Sequence, residues 1–124
     1  MYIVDSPVKA ANASIAPDIV GECPLGRPWN SLHRSIFAHS FEDSSVAPSG
    51  YIDWVVDGVS RFTNQTFMAE YRTFGPGFNA TGRAATNASI VLDSKTYAPY
   101  DSPSKVFLSP DGKSGNIGWI DWHA

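Results

Sequence analysis

The sequence predicts an all-β chain of short strands joined by many turns, with few helices. Two observations carry this. Gly, Pro, Ser, Asn and Asp together make 49 of the 124 residues; they tolerate or preset the backbone angles of turns, so long helices find little room. Between them lie short runs rich in β-branched and aromatic side chains, Tyr2–Val4, Ser35–Ala38, Val55–Val56 and Thr66–Tyr71, each bounded by turn formers. The length allows one domain at most. With 43% hydrophobic and 17% charged residues, the chain has the composition of a globular core.

Two stretches pull towards helix. Leu32, Ile36, Phe37 and Phe41 recur at amphipathic spacing, and no Gly or Pro interrupts residues 29–47, so periodicity alone predicts a helix there. Residues 86–98 are the second candidate, with Asp93-Ser94 as a cap for a short turn that Pro99 ends. Beyond it, Pro103, Pro110, Asp111-Gly112 and Ser114-Gly115 mark successive turns, and Trp119 and Trp122 form an expected anchor for the tail. No repeat of fixed period is evident.

Charge and hydropathy exclude several partners. A formal net charge of -3 leaves no basic stripe for nucleic acid. No run approaches the roughly 18 apolar residues of a membrane span. The opening Met1-Tyr2-Ile3-Val4-Asp5 is no signal peptide. Yet four of the six Asn begin sequons, at Asn12, Asn64, Asn79 and Asn87, which favours secretion with glycosylation at those positions. The single Cys23 cannot form an internal disulfide. The expectation that reconciles these facts is a natural start upstream of Met1.

The sharpest chemical feature is Leu25-Gly26-Arg27-Pro28-Trp29-Asn30. Gly and Pro fix the backbone around an Arg whose planar fork suits a carboxylate, and Trp29 adds a flat apolar face, a pair fitted to an acidic sugar or anionic peptide. The same pattern also fits an Arg paired to a core carboxylate beside a packed Trp. Asp53 and Asp57 flank Trp54 and read as surface charges. His33 and His39 lack the partners and spacing of a zinc site, so no metal is expected. Gly75-Pro76-Gly77-Phe78-Asn79-Ala80 matches a dinucleotide loop only formally, because Pro76 and the lack of a following apolar helix remove the phosphate cradle. No nucleophile elbow around a Ser occurs. The residues by themselves give an Arg-Trp presentation site without a complete catalytic constellation.

The order of motifs resembles the C-terminal part of the pectin methylesterases, most like the fungal forms. The likeness rests on Leu25-Gly26-Arg27-Pro28-Trp29, then Arg34-Ser35-Ile36-Phe37 with Ser40, then Pro48-Ser49-Gly50-Tyr51 with Trp54, then Glu70-Tyr71 leading into Gly75-Pro76-Gly77 and Arg83. It runs from Tyr2 to Trp119. Departures are Pro24 and Tyr51 where aromatic and Trp residues are usual, and Thr86 where a Trp often stands.

The resemblance implies a right-handed parallel β-helix, of which residues 1–124 are C-terminal coils. It assigns coils to residues 1–85, and a short helix and loop-rich tail packing on the β-helix to residues 86–124. It turns the helix expected around Leu32–Phe41 into a strand. It also implies hydrolysis of methyl esters of homogalacturonan, with one Asp as nucleophile, a second Asp moving protons, Gln amides stabilising the oxyanion, and no metal or cofactor. Arg27 would orient the nucleophilic Asp and bind substrate, and Trp29 would pack on the sugar. The Asp pair and the Gln donors match nothing in this sequence, so the 124 residues by themselves are expected to be inactive. Pectin, and N-terminal coils of the same domain, are the implied partners, and the implied location is extracellular. The alternative is a non-catalytic pectin-binding or decayed module.

Overall fold

A computed structural model describes residues 1–121. Its strands are β1 (Tyr2–Val4), β2 (Pro7–Val8), β3 (Arg34–Ala38), β4 (Phe41–Glu42), β5 (Val55–Val56), β6 (Val59–Ser60), β7 (Phe67–Tyr71) and β8 (Ile90–Val91). The α-helices are single turns, α1 (Ala80–Ala84), α2 (Ser94–Tyr97) and α3 (Pro103–Val106). Two compact units divide the chain, Met1–Leu92 and Asp93–Ala124.

The first unit is organised by parallel ladders. A four-stranded sheet runs β1-β3-β7-β8, with every neighbouring pair parallel. Beside it β2 pairs with β4, again parallel, and the bridge from Phe41 to Phe74 continues that line. Cys23 to Val46 and Gly26 to Tyr51 are further parallel bridges. Tyr2 lies opposite Ile36 and Pro7 opposite Phe41, a return after 34 residues; Ile36 lies opposite Ala69 and Phe41 opposite Phe74, a return after 33. Parallel neighbours need such long crossovers, since a tight turn can join only antiparallel strands.

Each pass bends after the same residue of its strand. Val4, Ala38 and Tyr71 stand in register, and the next residues, Asp5, His39 and Arg72, all take left-handed backbone angles with φ of 51, 50 and 50°. Short polar or charged side chains accept that region at a cost that bulky β-branched ones would not.

The central strands β3 and β7 are buried on both faces, which explains their composition. In β3 the residues Ser35 to Ala38 are all buried, as are Met68 to Tyr71 in β7. A strand of this kind reads as a continuous apolar run instead of an alternation. That is why Ile36 and Phe37 imitate one face of a helix: they are adjacent in sequence yet point to opposite sides of a sheet. The helix that periodicity predicts over Leu32–Phe41 is therefore strand β3, as the resemblance implied. Phe37, Tyr51, Met68 and Ala88 form the core, with Ile3, Val8, Leu25 and Phe62 packed against it.

Only part of the second helical candidate, residues 86–98, is helical. Ile90 and Val91 join the sheet beside β7, and Leu92 N donates to Glu70 O at 2.8 Å. The helix is α2, capped reciprocally: Asp93 Oδ1 accepts from Thr96 N at 2.7 Å, while Asp93 N donates to Thr96 Oγ1 at 3.0 Å. In the second unit Trp119 meets Phe107 edge to face at 6.1 Å and its Nε1 donates to Asn116 O. Trp122, the other expected anchor, lies outside the described residues.

Candidate functional site

The parallel bridge between Gly26 and Tyr51 builds the site. Leu25 N donates to Gly50 O at 2.8 Å and Ile52 N to Gly26 O at 3.1 Å, so the segments 25–29 and 50–54 run side by side. Tyr51 anchors this pairing from within, fully buried, with its hydroxyl linked to Ser35 Oγ at 3.2 Å and Ala69 O at 3.3 Å. Burial pushes the phenol pKa up. Pro28 is buried as well, which leaves Arg27 and Trp29 on either side of it facing out.

After Trp54 the chain forms a two-stranded hairpin, β5 against β6. Its tip is Asp57-Gly58 with φ of 52 and 77°, the pair of positive values that a tight right-twisted hairpin turn requires. Asp53 closes the base, its Oδ1 accepting from Trp54 N at 2.6 Å and Phe62 N at 3.2 Å. Hydrogen bonds from the Ser60 side chain and then from these backbone amides hold its carboxyl below the ordinary range.

Three side chains meet above this frame. The Arg27 guanidinium lies over the Trp54 indole at 4.6 Å from the ring centroid, and Trp29 packs on the same indole at 4.7 Å with the planes tilted by 49°. Trp29 is 74% exposed. The Arg27 donors make no hydrogen bond or ion pair with any described residue. An exposed guanidinium fork with unused donors, beside exposed aromatic surface, can take a carboxylate and the apolar face of a sugar ring together. A cleft of about 450 Å³ opens beside the hairpin base, lined by Asp53, Ser60, Phe62, Thr86, Asn87 and Ala88.

The core-paired arginine that was the other reading of Arg27 does occur, but it is Arg83. This side chain is 1% exposed and sits between two fully buried glutamates. Its Nη2 donates to Glu42 Oε2 at 2.7 Å and its Nε to Glu70 Oε2 at 2.8 Å, while Nη1 donates to the carbonyls of Ala47 and Pro48, both at 2.9 Å. Thr73 Oγ1 donates to Glu70 Oε1 at 3.0 Å. Gly50 makes room for the cluster, and Gly77 makes room for the Asp43 backbone beside it. A Cβ on Gly50 would stand 2.6 Å from Arg83 Nε, and one on Gly77 would stand 2.1 Å from Asp43 O. Desolvation, then the nearby Glu70, push the Glu42 carboxyl up to about 8, with Arg83 pulling the other way. Neither carboxyl is open to a substrate.

The structure thus brings Arg27 together with Trp29, through Trp54. Sequence reading treated Trp54 as part of a motif and did not single out Glu42 at all. The signal for Trp54 was its place three residues after Tyr51; for Glu42 there was none. The sequon residues Asn12, Asn64, Asn79 and Asn87 are all exposed, with Asn79 also capping α1 through Gly82 N at 2.8 Å. His33 and His39 do not converge with other ligands, and among the described residues no three His, Cys, Asp or Glu side chains form a metal site.

The family model described as Pectinesterase matches residues 1–108. "Putative pectinesterase 11" of Arabidopsis thaliana is 34% identical over 102 residues, covering 82% of this chain and 24% of that protein. "Probable pectinesterase/pectinesterase inhibitor 7" of Arabidopsis thaliana is 30% identical over 110 residues, covering 88% of this chain and 18% of that protein. "Pectinesterase 2" of Citrus sinensis is 34% identical over 70 residues, covering 56% of this chain and 13% of that protein. These relatives are plant proteins, which corrects the expected likeness to fungal forms. No solved structure matches. The chain spans a quarter or less of the length of these curated relatives, and by the match over most of its residues it belongs to the pectinesterase family.

Proposed function

We propose that this chain supplies the substrate-side wall of a pectin methylesterase, a hydrolase of the methyl esters of homogalacturonan. The carrying observation is the exposed pair Arg27 and Trp29, with the guanidinium donors unused among the described residues. Arg27 takes a galacturonate carboxylate and orients the nucleophilic Asp of the reaction, and Trp29 packs on the sugar. Ester hydrolysis by this route needs a carboxylate nucleophile, a proton-transferring partner and fixed donors at the oxyanion. Neither Gln-Asp-Thr nor Gly-x-x-Asp-Phe occurs in residues 1–124, so those groups come from other residues of a working enzyme. The reaction so drawn uses carboxylates and amides, without metal or cofactor.

The proposed fold is a right-handed parallel β-helix, supported by parallel ladders that return after 33 or 34 residues. Coils occupy residues 1–85, and residues 86–124 form a tail segment of the same domain that begins with the short rung β8 and continues through a short helix. The proposed location is extracellular, with pectin as partner; the exposure of all four sequon asparagines supports glycosylation there.

Titrating the chain with partly esterified oligogalacturonides tests the reading. Saturable binding that Arg27→Ala and Trp29→Ala each weaken about tenfold or more is expected, the scale of a lost charge-assisted contact. Absent binding, or binding indifferent to both changes, rejects it.

A further inference from the structure

We propose that Trp54 is the positioning residue of this surface, its indole holding the Arg27 guanidinium and the Trp29 ring at one fixed spacing for a uronate. The inference rests on the proposed reading of Arg27 and Trp29 as the ligand contacts. Trp54 lies beneath both: it is half-buried, while Arg27 and Trp29 are exposed. Its face carries the guanidinium at 4.6 Å and the second indole at 4.7 Å.

Stacking suits the task because a guanidinium lying on an indole keeps its N–H bonds in its own plane, free to point at a ligand. A long arginine side chain held this way has already given up rotamer freedom that binding would otherwise have to freeze. Trp54 can hold it because its own backbone is tied at both ends. Its N–H donates to Asp53 Oδ1 at 2.6 Å, and its carbonyl accepts from Arg61 N at 2.8 Å across the hairpin base. The Asp53 carboxylate, spent on backbone amides, serves the hairpin and not the ligand.

The test compares wild type, Trp54→Ala, Trp54→Phe and Arg27→Ala in the 124-residue chain, using de-esterified oligogalacturonate as the probe and NMR of the Arg27 side chain as a second readout. An indole face shields protons above it, so in the unliganded wild type the Arg27 Hδ and Hε resonances are expected upfield. In Trp54→Ala they return to ordinary arginine positions, and affinity falls about 5- to 30-fold, the span of a partly desolvated cation–π contact. Trp54→Phe, which restores an aromatic face, holds affinity within about threefold of wild type. Equal affinity in wild type and Trp54→Ala, with Arg27→Ala still weakened, overturns the positioning role and leaves the functional reading standing. A wild type that binds no oligogalacturonate sinks the functional reading, and the Arg27 resonances then decide the positioning by themselves. If Trp54→Ala fails to fold, Trp54→Phe and the wild-type spectrum decide, and unshielded Arg27 protons in wild type overturn the inference.

Discussion

Arg83 grips Glu70 with two parallel contacts, Nε to Oε2 at 2.8 Å and Nη2 to Oε1 at 3.1 Å, where neither side chain touches solvent. The same Nη2 reaches Glu42, so one guanidinium ties β4, β7 and α1 into a single block. Removing the cation leaves two carboxyls facing each other without water. Arg83→Ala is expected to cost about 3–5 kcal/mol, the range for breaking a buried pair by deleting one partner. Arg83→Lys should recover little, because a point charge cannot span both carboxyls and the carbonyls of Ala47 and Pro48. Urea unfolding of the three proteins checks both statements, and a loss under 1 kcal/mol for Arg83→Ala would contradict the first.

Glu42 sets a pH dependence whose sign follows from its raised affinity for a proton. Its carboxyl moves from an ordinary value of 4.5 to about 8 in the folded chain. Between those values the native chain keeps a proton that the unfolded chain releases, so stability falls as pH rises. The contribution is complete below pH 4.5 and lost as pH passes through 8. Thermal midpoints are expected to drop from pH 6.5 to pH 8, and Glu42→Gln should flatten this slope. The lowered carboxyls of Asp43, Asp53 and Asp93 act in the opposite sense, but from their ordinary value of 3.8 downwards. They leave the window from pH 5 to pH 8 to Glu42 and, below its ordinary value of 6.5, to His33, whose ring pKa is lowered by burial and then by the N-terminal charge and so works against Glu42 there.

Two glycines separate backbone cost from steric cost. Gly58 takes φ of 77° at the hairpin tip, and an added Cβ would meet nothing within 4 Å. Gly58→Ala should thus cost about 1 kcal/mol, the left-handed penalty less the entropy removed from the unfolded chain. Gly82 has an ordinary φ, yet its Cβ would stand 2.2 Å from Pro48 O. Gly82→Ala must displace backbone, and a larger loss, about 2 kcal/mol or more, is expected. The order of the two denaturation midpoints is the measurement; Gly58→Ala being the worse would refute the assignment of causes.

Catalysis gives a fourth expectation. On the proposed reading the exposed surface binds substrate in the ground state, but only interactions that strengthen in the transition state speed a reaction. The chain of 124 residues is expected to release no methanol from esterified pectin above the rate of buffer. Methanol release that Arg27→Ala abolishes would show that a nucleophile within these residues had been overlooked.

What could be foreseen depended on how far apart the cooperating residues lie. Local chemistry was legible: the Asp93 cap, the strands at Tyr2 and Val55, and the Arg27–Trp29 presentation all follow from neighbours in sequence. The 33- and 34-residue returns were not, because a parallel ladder asks only that each position suit its slot. Tyr2, Ile36, Ala69 and Ile90 share one line of the sheet without being alike. Glu42 was invisible for the same reason; nothing in Phe41-Glu42-Asp43 distinguishes a buried acid from a surface one. Strand β3 shows the remaining failure, since burial on both faces erases the alternation that marks a strand.

The hairpin of β5 and β6 leaves the ladders after Tyr51, and the chain rejoins them at Phe67. Nothing in the register of β3 and β7 depends on how many residues that excursion contains. Loop closure grows only slowly in cost with length, so the hairpin can be lengthened, shortened or re-angled while the columns of the sheet stay fixed. The β5–β6 hairpin can therefore change in length while Phe62 and Tyr51 keep the base of the Trp54 surface seated on the core.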